Sequence, residues 1–230
     1  MPADVLALRR RPLLRLAGLA MIGAVTGNAL TGCDPDTSGT PTTSPEPSNT
    51  ARPAKRPKVL LAYFSRAGWN YHDGARRYLQ TGNTEVLAGT IRDLIGCDVH
   101  RIEAADPYSD DYDDTVARNV REQNADARPA IANPLASIAQ YDTILLASAI
   151  WNVRAPMIMS TFADSYDFTG KTVHPITTYA MSGLGTTERD YAASCRGASV
   201  ADGLAVRGEE VNNARPAVET WLKEHDLLAR

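Results

Sequence analysis

Short apolar runs alternate with amphipathic stretches along the chain from Lys58 onward. Runs of consecutive apolar residues predict strands, and apolar residues spaced three or four positions apart predict helices. The predicted strands are 59–64, 98–102, 143–149, 173–179 and 199–206, and the predicted helices are 84–95, 112–124, 156–162, 187–194 and 213–228. We expect Val116 and Val120 to face inward from the second helix, and Gly203 to weaken the last strand.

These elements form a strand followed by a helix five times in succession. Nearly continuous apolar strands that alternate with helices are typical of a parallel sheet covered by helices on both faces. The sequence therefore predicts an α/β fold with a doubly wound, five-stranded parallel sheet in the order 2-1-3-4-5. In such a sheet the ligand lies at the carboxyl ends of strands 1 and 3, where the strand order reverses.

The first 57 residues do not follow this pattern. Residues 1–32 join an arginine-rich start to a short apolar stretch, which is typical of an export signal and is too short to span a bilayer. Residues 33–57 are rich in Pro, Ser and Thr and nearly free of apolar residues, so they predict a tether. The predicted folded domain is then 58–230.

The predicted signal ends in Leu30-Thr31-Gly32-Cys33, which resembles the lipobox of bacterial lipoproteins. This resemblance implies that Cys33 is lipidated and anchors an exported protein on the extracytoplasmic face of the bacterial cell membrane. Arg10-Arg11 and the residues after them also resemble a twin-arginine signal. Export by the Sec route and export by the twin-arginine route therefore both stay open.

Composition and charge narrow the classes of function. The formal net charge is −3, and there is no basic stripe with interleaved aromatic residues, so we expect no nucleic acid as a partner. The four histidines lack metal-ligand spacing, so no metal site is predicted. No Gly-x-Ser-x-Gly motif supports a serine hydrolase. Cys97 and Cys195 lie near different predicted strands, and we expect both to be free and buried.

The connection after the first strand carries the residues of a phosphate-binding loop. Ser65 follows the strand, and Gly82-Asn83-Thr84 precede the first helix. Small hydroxyls, backbone N–H groups and a helix N-terminus together favour an anion. We expect Ser65 and Thr84 to supply hydroxyls and Gly82 and Asn83 to supply N–H groups. The alternative is an ordinary connection in which Thr84 caps the helix.

Two further loops would meet this one at the same edge of the sheet. Ile150-Trp151-Asn152 follow the third strand, where Trp151 on an exposed loop would offer a flat surface to an aromatic ring; a Trp of the core is the alternative. Ser182, Gly183 and Gly185 follow the fourth strand, where glycine lets the backbone approach a ring closely. A phosphate at one end and a stacked ring at the other predict flavin mononucleotide (FMN) as the cofactor.

These segments, in their order along the chain, resemble the flavodoxin-like family, and within it the bacterial flavodoxin-like proteins with an Ile-Trp pair after strand 3. The resemblance covers about residues 58–228 and implies a non-covalently bound FMN and redox activity. Two features depart from the family pattern. An insertion between Gly68 and Gly82 splits the phosphate loop, and Asn152 and Val153 stand where the family usually has a second Trp and a Gly.

The sequence thus favours an FMN-binding electron carrier whose redox partner is another protein or a quinone. Because the flavin would supply the chemistry, we name no catalytic acid or base. One alternative is an NAD(P)H-dependent quinone or flavin reductase, and a second is a non-redox lipoprotein that has lost its flavin. No Gly-rich dinucleotide fingerprint follows a strand, and an exported protein would meet little NAD(P)H, which favours the carrier.

Overall fold

The computed structural model describes residues 57–228. Its strands are β1 (Val59–Tyr63), β2 (Gly68–His72), β3 (Ala75–Leu79), β4 (Asp98–Arg101), β5 (Thr143–Ala149), β6 (Thr172–Tyr179), β7 (Ser199–Val200) and β8 (Leu204–Arg207). Its α-helices are α1 (Asn83–Ile95), α2 (Tyr112–Asn124), α3 (Met157–Asp164), α4 (Thr187–Ser194) and α5 (Arg215–Glu224), and a 3₁₀ helix covers Gly208–Asn213. The predicted elements all exist, and the predicted last helix is shorter at both ends, since α5 begins at Arg215 after the 3₁₀ helix and ends at Glu224.

The main sheet is parallel and has the order β4-β1-β5-β6, with β7 and β8 both paired to β6. The predicted order 2-1-3-4-5 is confirmed, with the fifth strand formed in two pieces. Gly203 lies between the pieces, and a Cβ there would come within 2.6 Å of the Pro175 carbonyl oxygen. The close approach of the two backbones at this point therefore accompanies the interruption.

Each face of the sheet carries one apolar core. The first core packs α3 and the residues around it on one face and includes Leu60, Ile144 and Phe162. The second packs α1 and α5 on the other face and includes Leu61 and Trp221. Because successive residues of a strand point to opposite faces, the continuous apolar runs of β1 and β5 supply both cores at once.

The prediction that Val116 and Val120 of α2 face inward is wrong. Val116 and Val120 are exposed by 42% and 43%, whereas Thr115, Asn119 and Glu122 are buried. The reason is that the buried side of α2 contacts polar loop segments as well as the core, and its polar side chains find hydrogen-bond partners there. Two valines four positions apart therefore mark the outer surface of this helix.

The insertion after β1 forms an antiparallel hairpin, β2–β3, whose strands pair from Gly68–Leu79 to His72–Ala75. Its Arg76 guanidinium binds the Asp113 carboxylate on α2 with two contacts of 2.6 Å. Its Asp73 N–H donates to Glu209 of the 3₁₀ helix at 3.0 Å. Because α2 follows β4 and the 3₁₀ helix follows β8, the hairpin is held by elements from both edges of the sheet.

Cys97 and Cys195 are free thiols, as expected. Cys195 is buried, but Cys97 is only partly buried because it lies just after α1, near the surface. Burial raises the pKa of Cys97 to about 11 and that of Cys195 to about 12, so both thiols stay protonated near neutral pH. In residues 57–228, no helix is both long and apolar enough to cross a membrane.

Candidate functional site

Three loops meet at the carboxyl edge of the sheet, where the strand order reverses between β1 and β5. The loop after β1 begins beside β5, since the Phe64 N–H donates to the Ala147 carbonyl at 2.9 Å. The loop after β5 begins beside β6, since the Ile150 N–H donates to the Thr178 carbonyl at 2.9 Å. The structure thus brings the predicted phosphate loop, the Trp151 loop and the Gly183–Gly185 loop to the same edge.

The N-terminus of α1 forms a tight cradle with the loop after β1. Ser65 is buried, and its Oγ accepts the Glu85 N–H at 3.1 Å, which leaves the Ser65 hydroxyl hydrogen as a donor. A Cβ on Gly82 would lie 2.3 Å from Ser65 Oγ and 2.5 Å from the Arg66 carbonyl oxygen. Only glycine permits this approach, so the loop can present backbone N–H groups of the first turn of α1 to an anion.

Asn83 and Thr84 direct their side chains away from the loop. The Thr84 hydroxyl is buried and shares a 2.8 Å hydrogen bond with the Thr178 hydroxyl of β6. The Asn83 amide nitrogen lies 2.4 Å from the position that a Cβ on Gly208 would take. The expected use of the Asn83 backbone N–H stays a prediction, whereas the Thr84 hydroxyl, which was expected to bind the phosphate, is already bonded to Thr178.

Trp151 is part of an aromatic cluster built from three different loops. Its ring meets Phe64 edge-on at 5.7 Å and Tyr108 edge-on at 5.1 Å, measured between ring centroids. The side chain is partly buried rather than fully exposed. The two alternatives for this Trp therefore both apply in part, because it packs on the core at its edges and keeps some surface open.

An ion pair between Arg118 and Glu122 holds Tyr108, one of the three rings of this cluster. The Tyr108 hydroxyl donates to Glu122 Oε2 at 2.7 Å, and Arg118 Nε donates to Glu122 Oε1 at 2.7 Å. The Arg118 guanidinium also lies 3.9 Å from the centre of the Tyr108 ring. Burial, and then the hydrogen bond to Glu122, raise the pKa of Tyr108 above its ordinary value. Tyr108 is therefore neutral, and its ring is held in place against the Trp151 ring.

The segment 151–154 forms a turn with both central residues in the left-handed region. Asn152 has φ of 51° and Val153 has φ of 65°. The Trp151 N–H donates to the Arg154 carbonyl at 2.8 Å and closes the turn. Asn tolerates this conformation, whereas a β-branched residue is strained there. The position where the family usually has Gly thus keeps a glycine-like backbone although it carries Val.

Replacing Val153 by Gly should raise the free energy of unfolding by about 1 kcal/mol, because relief of left-handed strain exceeds the added entropy of the unfolded chain. Urea unfolding would measure the change. The matched variant Asn152→Gly should give no gain, since Asn tolerates the conformation and its Nδ2 bonds Gln123 Oε1 at 3.2 Å. Destabilisation by Val153→Gly would show that the turn is not strained.

The loop after β6 touches this turn. A Cβ on Gly185 would lie 2.2 Å from the Val153 carbonyl oxygen, and the Thr186 N–H donates to that oxygen at 2.9 Å. Gly183 also has a positive φ of 57° but faces open space, and Ser182 is exposed. Gly185 is therefore needed for contact between the two loops, whereas Ser182 and Gly183 lie at the open side of the site.

Sequence reasoning gave no role to Arg66, although it stands inside the phosphate loop. Its guanidinium donates to the carbonyls of Ser109, at 2.8 Å, and Asp110, at 3.2 Å, and also contacts the Trp69 carbonyl. Burial lowers the pKa of Arg66, and the nearby Asp110 opposes that effect. Arg66 thus ties the phosphate loop, the hairpin and the loop after β4 together, and no sequence motif signals this.

Neither of two surface clefts is lined by Ser65, Gly82 or Trp151. A cleft of about 850 Å³ between α3 and α4 is lined by Tyr166, Arg196 and their neighbours, and one of about 580 Å³ lies beside Arg121 and Pro129. We place the candidate site at the loops because the backbone donors and the aromatic surface are there. Across residues 57–228, no group of three or more His, Cys, Asp or Glu side chains is arranged to hold a metal ion.

The fold and the edge site together define a flavodoxin-like α/β protein. A family model described as Flavodoxin matches residues 58–225. The chain therefore belongs to the flavodoxin family. No match to it was found among curated proteins.

Similar solved structures come from several bacteria. A protein of Bacteroides uniformis ATCC 8492, assigned as a flavoprotein, is 29% identical with a TM-score of 0.58, covering 74% of this chain and 99% of its own. A similarly assigned protein of Bacteroides eggerthii DSM 20697 is 26% identical with a TM-score of 0.60, covering 74% and 98%. A flavoprotein in complex with FMN from Lactobacillus acidophilus NCFM is 18% identical with a TM-score of 0.49, covering 68% and 97%.

Proposed function

We propose that this protein binds one FMN at the carboxyl edge of its sheet and transfers electrons. The observation that carries the proposal is the cradle at Gly82, which only glycine permits, at the N-terminus of a 13-residue helix beside the strand that leads to Trp151. A helix N-terminus with free backbone N–H groups suits a phosphate. Membership of the flavodoxin family supports the same cofactor.

The residues present fit FMN at both ends. At the phosphate end, Ser65 can donate its hydroxyl hydrogen, and Asn83 and Thr84 can donate their backbone N–H groups, whereas the Glu85 N–H is already bonded to Ser65 Oγ and the Gly82 carbonyl. At the ring end, Trp151 keeps a partly open surface, and Gly185 brings the loop after β6 against the Trp151 turn. When bound, the flavin would supply the redox chemistry, while these residues would bind and orient it.

The ligand can be identified by releasing it from purified protein with heat and separating it by chromatography. We expect FMN in a one-to-one ratio, and neither FAD nor a nucleoside triphosphate. Protein that is purified without a flavin should take up added FMN and gain its visible absorbance. A colourless protein that also fails to take up FMN would contradict the proposal and favour the non-redox alternative.

Replacing Trp151 by Ala should weaken FMN binding by about 1–3 kcal/mol, because stacking and apolar contact with the ring are lost. Fluorescence titration of the apoprotein with FMN would measure the change. Trp69→Ala provides the comparison, since Trp69 is exposed on the hairpin and packs against Tyr78. A larger loss with Trp69→Ala than with Trp151→Ala would place the ring beside the hairpin instead.

We propose that the reduced protein passes electrons to a protein or quinone partner rather than acting as a reductase of its own. The support is from the sequence, in which no dinucleotide fingerprint follows a strand. Stopped-flow mixing of the FMN-loaded protein with NADH and with NADPH should bleach the flavin slowly or not at all. Rapid bleaching with turnover on a quinone would make the NAD(P)H-dependent reductase the correct function.

We also propose that Cys33 carries a lipid and anchors the protein at the extracytoplasmic membrane face. The support is the lipobox-like sequence ending at Cys33, which lies outside the residues that the structure describes. Cys33→Ser should shift the protein from the membrane fraction to the soluble fraction. Continued membrane association of this variant would point to a retained signal segment instead.

A further inference from the structure

Gln123, in the last turn of α2, forms hydrogen bonds with the 151–154 turn through its side-chain amide. Gln123 Nε2 donates to the Trp151 carbonyl at 3.0 Å and to Asn119 Oδ1 at 3.2 Å. Gln123 Oε1 accepts from Asn152 Nδ2 at 3.2 Å. A single amide thus bonds both the backbone and a side chain of the turn, and its partner Asn119 is buried in the helix.

These contacts explain why α2 turns polar residues inward. An apolar residue at position 123 would leave the Trp151 carbonyl and the Asn152 amide without this partner. The turn needs such a restraint, because Val153 holds a left-handed backbone that is unfavourable for its β-branched side chain. A polar clamp from outside the turn is a way to keep a strained backbone in one conformation.

We propose that Gln123 is a positioning residue that fixes the 151–154 turn, and with it the orientation of the Trp151 ring against FMN. Tyr108 restrains the ring from its edge, and Gln123 restrains the backbone that carries the ring. Gln123 bonds the carbonyl of Trp151 and the side chain of Asn152, so it would act through the turn rather than on the cofactor. The inference rests on the proposed function for the part that concerns FMN.

Two variants test the clamp. Gln123→Leu removes all three hydrogen bonds at similar size, and Gln123→Glu keeps an acceptor for Asn152 but loses the donor to the Trp151 carbonyl. Arg121→Gln is the matched control, because Arg121 is exposed in the same helical turn. Far-UV circular dichroism and urea midpoints establish that each variant is folded before the turn is compared.

The first readout needs no flavin. The Trp151 and Thr186 N–H groups close the turn and its contact with the next loop, so their amide hydrogen exchange reports its opening. We expect exchange at these two amides to be about tenfold faster in both Gln123 variants and unchanged in Arg121→Gln. Unchanged exchange in the Gln123 variants, or equal acceleration in the control, would overturn the proposal.

The second readout is the bound flavin. We expect FMN affinity to fall by about tenfold in both Gln123 variants, and the visible circular dichroism of bound FMN to change, because the stacked ring is no longer held in one orientation. If amide exchange is faster in the Gln123 variants but FMN affinity and the visible circular dichroism are unaltered, Gln123 does not position the Trp151 ring against FMN. If the wild-type protein binds no FMN, the proposed function fails, while faster exchange in the variants still supports Gln123 as the clamp of the turn.

Discussion

Gly82→Ala is expected to weaken FMN binding by about 1.4–3 kcal/mol, or roughly 10–150-fold. The added Cβ would lie 2.3 Å from Ser65 Oγ and 2.5 Å from the Arg66 carbonyl oxygen. The serine hydroxyl can rotate away, but the carbonyl is backbone, so the loop must move. That movement separates Ser65 from the first turn of α1, which are the two sources of hydrogen-bond donors for the phosphate.

The measurement is a titration of the apoprotein with FMN and, separately, with riboflavin, which lacks the phosphate. The loss in Gly82→Ala should be large for FMN and small for riboflavin if the cradle binds the phosphate. Gly89→Ala is the matched control in the same helix, since a Cβ there meets nothing within 4 Å. That control should keep FMN affinity and gain up to about 1 kcal/mol of stability. Equal losses for both ligands would show that the cradle does not bind the phosphate.

The strands and their order could be predicted from the sequence because buried parallel strands leave an unusually clear pattern. β5 (Thr143–Ala149) is apolar along nearly its whole length and is covered on both faces. Gly96 ends α1 in the left-handed conformation, which glycine adopts at no steric cost. Such signals are local, so a single sequence is enough to detect them.

The orientation of α2 could not be predicted because its burial depends on partners that are distant in sequence. Glu122 is buried against Tyr108, which lies fourteen positions earlier, and Gln123 contacts the turn at Trp151, 28 positions later. In an isolated helix pattern, Val116 and Val120 appear to be the buried residues. Only the fold brings hydrogen-bond partners to the polar face, and a satisfied polar face can be buried at little cost.

The candidate site likewise has some residues whose positions could be predicted from the sequence and others whose contacts could not. Gly82 and Trp151 were predicted from loops at the ends of strands, where position alone is informative. The direction of the Thr84 hydroxyl was not predictable, because it depends on Thr178 of a strand 94 positions away. Likewise, Arg66 binds carbonyls of a loop more than 40 positions later, and no motif encodes that pairing.

Glu122→Gln is expected to lower the free energy of unfolding by about 1.5–3 kcal/mol, because it neutralises one member of a mostly buried ion pair and leaves Arg118 with only the exposed Asp106 carboxylate as a charged partner. Only 17% of the Arg118 side chain and 11% of the Glu122 side chain are exposed. Urea unfolding with equal m-values would measure the loss. FMN affinity should fall as well, since the single amide oxygen of glutamine cannot take the place of both carboxylate oxygens, which accept from Tyr108 and Arg118.

The chain contains a matched control for this prediction. Arg215 and Glu219 form an ion pair at the same four-residue helical spacing, but 58% and 34% of their side chains are exposed. Water screens such a pair, so Glu219→Gln should change stability by less than about 0.5 kcal/mol. If Glu122→Gln lowers the free energy of unfolding no more than Glu219→Gln does, the bonds of Glu122 are not what fixes the Tyr108 ring against Trp151. A large loss of stability together with a fall in FMN affinity, both confined to Glu122→Gln, would instead show that the polar face of α2 stabilises both the fold and the Trp151 surface.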